Sequence, residues 1–146
     1  MNSAVPNPRH PLVASWVAQM VGTIVLAAAV LAFMRSMNGP LSGENEWRRY
    51  AMVGILVMGA PALIYLRTFK ARLEDDERQV KQRGTPEPAA RSALLRGLSF
   101  GGALCELPQA LGVVYLFLGG ETRWFLGATM VTIALRLSYR PFTRAR

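Results

Sequence analysis

The sequence predicts an all-α polytopic membrane protein, with four transmembrane helices arranged as two antiparallel hairpins and a cytoplasmic helical extension after the second span. Three observations predict it. Apolar residues are gathered in uninterrupted blocks instead of at core-facing spacing, and the first block, Leu12 to Met34, holds no charged residue. A run of about 18 or more such residues is long enough to cross a bilayer. The formal net charge of +8 falls almost wholly between the blocks. Finally, the basic residues are unevenly shared. Thirteen Lys and Arg lie in the N-terminal tail, the 67–96 connection and the C-terminal tail counted with Arg136, against four in the other two connections. The positive-inside rule then places both termini and the long connection in the cytoplasm, in a protein of the inner (cytoplasmic) membrane.

Residues 1–11 (MNSAVPNPRHP) are polar and proline-dotted and form a tail; residues 12–146 are the membrane domain, with spans of about 12–34, 50–66, 97–120 and 124–139. Ala27-Ala28-Ala29 imitates a signal-peptidase site. The apolar block is nevertheless far longer than the roughly 7–15 residues of a signal core, which predicts an uncleaved helix. Ser15, Gln19, Gly22 and Thr23 share one face of it and read as a small, polar packing seam. Gly39-Pro40 and Gly43 mark a turn before Trp47 and Tyr50, which stand where an aromatic belt is expected. The second span carries Pro61 in its middle, a predicted kink.

Beyond Leu66 the helix continues out of the bilayer with Phe69, Leu73 and Val80 on one side, until Gly84 stops it. The Glu74-Asp75-Asp76-Glu77 run within it points around the helix cylinder and is flanked by basic residues, so it predicts a solvated face and not a metal site. Pro88 opens the next helix, whose membrane part runs from Gly97 to Gly120 with a second predicted kink at Pro108. A tight turn, Gly119 to Arg123, leads to the fourth span.

Composition excludes several function classes. The basic balance is loop charge beside a membrane, which headgroups and orientation account for, so no nucleic acid is expected. Cys105 and His10 are the sole residues of their kinds. They make no transition-metal site, and neither a metal nor another cofactor is expected. No nucleophile elbow, acid–base cluster or phosphate loop appears at a span end, so catalytic residues, and an enzyme, are not expected.

The informative stretch is GLSFGGALCELPQALGVVYLFLGG, because it holds Glu106 near mid-span. A carboxylate at that depth costs on the order of 3 kcal/mol. Glu106 and Arg136 each lie fifteen residues from Glu121 in the last turn, on opposite sides of it. At ~1.5 Å per residue both lie about 22 Å from that turn, and they are expected to pair. Ser99, Glu106 and Gln109 share a face of the third helix, and Gln109 is placed to donate to Glu106 from the next turn. Glu106, Gln109, Arg136 and Ser99 are therefore the candidate intramembrane polar cluster. It reads either as a structural pair or as a site where Glu106 carries protons.

ELPQALGVVYLFL resembles the carboxylate helix of the proteolipid (c) subunits of rotary ATP synthases, where a membrane glutamate is followed six residues later by glycine and then an aliphatic run. Glu106, Gly112 and Val113-Val114 match that spacing. The resemblance implies proton carriage by Glu106. It covers about a dozen residues, and the family's glycine-repeat helix and short polar loop have no counterpart here. The layout as a whole is similar to that of small four-helix bacterial inner-membrane proteins with a glutamate in their third helix, which implies no activity. The expected partners are the lipid bilayer and another membrane protein or a second copy of this chain. The expected role is an accessory or interaction subunit, with a proton- or ion-coupled component as the alternative.

Overall fold

The structure, a computed structural model, describes residues 10–37, 46–84 and 87–141. The turn expected at Gly39-Pro40 and Gly43, nearly all of the N-terminal tail and residues 142–146 lie outside the described residues. Those described are helical, without a strand: α1 (His10–Ser36), α2 (Glu46–Val57), α3 (Ala60–Arg83), α4 (Pro88–Phe117) and α5 (Thr122–Ser138).

Helices α2 and α3 are successive parts of one 38-residue stretch, Glu46–Arg83. It is interrupted at Met58–Gly59, next to Pro61 in the first turn of α3. Proline has no N–H for the carbonyl four residues back, and its ring crowds that carbonyl. Helical bonding survives around the break through Met58 N–H to the Gly54 carbonyl (2.8 Å) and Leu63 N–H to the Gly59 carbonyl (3.2 Å). Pro108 behaves differently, because α4 runs through it unbroken from Pro88 to Phe117. Its neighbours Cys105, Gln109 and Gly112 are buried against other helices, and that packing holds the axis where a lone proline would let it part.

Among the described residues three stretches are long and apolar enough to cross a membrane: Pro11–Ser36, Glu46–Arg83 and Pro88–Phe117. Expected as a fourth span, α5 has 17 residues. At ~1.5 Å per residue it is about 25 Å long, short of a hydrocarbon core of roughly 30 Å. In the most apolar windows of α1 and of α2–α3, 11% and 17% of residues are buried inside the protein. Val21, Ile24, Val25, Leu56, Leu63 and Ile64 are among the large side chains left outward. So continuous an apolar exterior suits a bilayer, not water.

Helix α4 contacts each of the other helices, and its glycines are the places where they approach. A Cβ at Gly101 would run into the Tyr139 ring, and one at Gly102 into the Gln19 side chain. At Gly112 it would stand 2.9 Å from the Ala128 Cβ, and at Gly97 3.6 Å from the Phe69 ring. Small residues let helices close without a hydrophobic drive between them. The inward side of α1 follows four- and three-residue steps, Leu12, Trp16, Gln19, Thr23, Ala27, Val30 and Met34, the spacing of a two-helix seam. Gln19 and Thr23 are on it as expected; Gly22 is exposed, with open space beside it.

The extension of α3 is docked and not free. Phe69 and Leu73 are buried with Leu94 and Leu98 of α4, and Tyr139 packs on Phe69 with ring centroids 5.4 Å apart. Gly84 ends α3 in the left-handed conformation, φ 76°, with its N–H on the Val80 carbonyl at 2.9 Å, a glycine C-cap.

These contacts predict that Gly101→Ala lowers the thermal stability of the detergent-solubilised protein by about 1–3 kcal/mol, because a buried ring must move. Gly22→Ala, facing open space, changes it by less than about 0.5 kcal/mol. Melting followed by circular dichroism measures both.

Candidate functional site

The site is built on Arg136, in the last turn of α5. Its side chain is 2% exposed, and a guanidinium stays protonated in any protein environment, so acceptors must come to it. Nη2 pairs with Oε1 of Glu106 on α4, and Nη1 donates to Oε1 of Gln19 on α1 at 2.9 Å. The Arg136 carbonyl in turn accepts from the indole Nε1 of Trp16 at 2.9 Å. One residue thus ties α1, α4 and α5.

The two ends of the ion pair differ. Arg136 is enclosed, whereas the Glu106 side chain is 54% exposed on the outer face of α4. The guanidinium is shielded by protein while half of the carboxylate looks away from the bundle.

Gln109 is not a partner of Glu106. Its amide Nε2 donates to the Thr23 carbonyl on α1 at 3.0 Å, because it faces α1 while Glu106 lies toward the outside edge. The Thr23 hydroxyl turns back to the Gln19 carbonyl at 3.0 Å, the usual recourse of a hydroxyl inside a helix. Ser99 is exposed and stands apart from this network. Of the expected cluster the structure brings Glu106 and Arg136 together, seats Gln109 one helix interface away and leaves Ser99 outside.

Gln19 and Trp16 belong to the site and are not among the residues expected for it. Their signal is present in the sequence: one amide in an uncharged 23-residue block, with an indole donor less than one turn before it. Thr132 is the less legible member. Its hydroxyl is buried without a partner among the described residues, as are Gln109 Oε1 and Arg136 Nε. Such orphaned atoms offset part of what the network contributes.

The cluster contains one carboxylate and one permanent cation. Among the described residues no three His, Cys, Asp or Glu side chains come together. Cys105 is buried beside the pair, enclosed by α4 and its neighbours.

No protein family, curated protein or solved structure matches the chain, so its function is read from geometry.

Two substitutions separate a satisfied atom from an unsatisfied one. Gln19→Leu leaves Nη1 of Arg136 without its acceptor and is expected to cost about 1–3 kcal/mol. Thr132→Val keeps the shape and removes an unpartnered hydroxyl, so it is expected to stabilise the protein by about 1 kcal/mol. A Gln19→Leu protein that melts no lower than wild type would contradict the first expectation, and a Thr132→Val protein that melts no higher the second.

Proposed function

We propose that the protein is a four-span inner-membrane protein serving as an accessory or interaction subunit, in which Glu106 and Arg136 form a structural fastener. The observation that carries the reading is the enclosure of Arg136 by acceptors from α1 and α4. A cation held this way neutralises the carboxylate and draws three helices together.

The α4–α5 contacts support an antiparallel hairpin. Gly101 meets Tyr139, Glu106 meets Arg136 and Gly112 meets Ala128, so the α5 numbers fall as the α4 numbers rise. The shortness of α5 is within what local bilayer thinning and reaching polar side chains accommodate. Both termini and the α3–α4 connection are then cytoplasmic, on the count of basic residues. Reporter fusions after residues 84 and 120 are expected to read cytoplasmic and non-cytoplasmic respectively. The same location for both would remove the hairpin.

The half-exposed carboxylate favours a second reading, in which Glu106 carries protons at the protein surface. The likeness of Glu106 and Gly112 to the proteolipid subunits points the same way. It ranks below the first because the carboxylate is already engaged by an enclosed permanent cation, and giving up that partner would strand the cation among the helices.

Charge substitutions test the two readings. Arg136→Leu strands a carboxylate and is expected to cost about 3 kcal/mol, with reduced levels in the membrane. Glu106→Gln/Arg136→Leu together are expected to recover most of that loss. Failure of the double variant to recover would overturn the fastener. Loss of a proton flux into protein-containing vesicles on Glu106→Gln, with melting unchanged, would install the carrier.

A further inference from the structure

The end of the bundle remote from the Phe69–Leu94 contacts holds a cleft of about 480 Å³ between α1 and the α4–α5 turn. Its walls are layered. Arg35 and Thr122 lie in the outer layer, and Leu31 and Leu126 one helical turn further in on the same two helices. Residues four apart stack along one helix side, so a polar mouth opens onto an apolar throat about 6 Å deeper. The floor of the mouth is the Gly119–Gly120 turn. Gly119 has φ +82°, and a Cβ at Gly120 would strike the Tyr115 ring. The Gly119 carbonyl is held by Arg48 Nη1 at 3.4 Å, which fixes the turn and brings a second cation beside it.

Arg35 stands in the last turn of α1, at the boundary of a candidate span. Among the described residues it has no acidic partner. The basic residue next to the α4–α5 turn itself, Arg123, is paired with Glu121. A cation over an apolar throat at the edge of a membrane calls for an anion carrying a hydrocarbon chain. The α5 N-terminus adds a smaller positive potential at the same mouth, and Arg35 supplies the full charge.

We propose that this cleft binds one acidic phospholipid, with the phosphate on Arg35 and Thr122 and the start of an acyl chain between Leu31 and Leu126. The inference rests on the membrane reading above. In the proposed orientation the lipid sits in the leaflet away from the cytoplasm, so the general attraction of cytoplasmic basic loops for anionic lipid does not account for it.

Native mass spectrometry of the full chain in detergent, with added phosphatidylglycerol, tests the site. One retained lipid per chain is expected. Arg35→Gln is expected to lower the retained fraction about fivefold, the effect of one basic residue near an anionic lipid surface. Leu126→Trp, which fills the throat without changing charge, is expected to lower it as well, and Arg123→Gln to leave it unchanged. Helical melting curves certify that each variant is folded; Arg35→Ala replaces Arg35→Gln, and Leu31→Trp replaces Leu126→Trp, where the first choice is not. Equal retention by the Arg35→Gln and wild-type proteins overturns the proposal, as does equal retention with the throat filled. Displacement of the lipid by millimolar inorganic phosphate overturns the lipid in favour of a free-anion site. Carbonate extraction of membranes separates the two levels. A chain that stays in the pellet but shows no Arg35 dependence loses only the lipid site. A chain released by carbonate loses the membrane reading and this site with it.

Discussion

A guanidinium that cannot shed its proton, enclosed by apolar helices, sets the terms for everything around it. Arg136 must be met by acceptors, and the acceptors must come from neighbouring helices because its own backbone carbonyls are committed to α5. Glu106 and Gln19 fill that need from two directions, and the Trp16 indole closes the loop through the Arg136 carbonyl. Taking one partner away is costly while replacing the whole set need not be. Such a cluster therefore contributes less to raw stability than to specifying which faces of α1, α4 and α5 meet.

Glycines make that polar contact sterically attainable. Glutamine at position 19 reaches across to α5 because Gly102 gives it room on α4, and Tyr139 lies flat on α4 because Gly101 has no side chain. The Tyr139 hydroxyl then donates to the Ala62 carbonyl on α3, one residue past Pro61. The last helix is thus fastened at one end to α3 and, one turn earlier, to α1 and α4. Where a water-soluble bundle would rely on large apolar side chains, this one brings backbones close and spends few polar atoms at the contacts.

The long apolar stretches were legible from the sequence because uninterrupted blocks leave little choice of structure. The pairing of Glu106 with Arg136 was legible from equal counts on either side of Glu121. Side-chain direction was not. Helical spacing put Gln109 near Glu106, yet a small rotation of α4 turns one toward α1 and the other outward, and spacing along one helix cannot choose between them. Ser99 lies on the exposed side of α4 as Glu106 does, and about two turns along the axis, not rotation, keep it out of the network. Gln19 was recognised as part of a seam but not as a ligand of Arg136, because nothing local relates residues 117 positions apart. Pro61 and Pro108 carry the same local chemistry and differ in outcome, α4 being clamped on several sides where the α2–α3 junction is not.

The order of the partners along the chain has a bearing on how the protein is made. Ribosomes deliver the N-terminal segments first, so Gln19 and then Glu106 are made before Arg136, which follows Glu106 by 30 residues. Until it arrives the carboxylate lacks the guanidinium that it pairs with in the finished fold. Arrival of α5 is then the committing event of assembly. An incomplete product that stops short of it would leave Glu106 half-exposed on α4 with its counter-charge unmade.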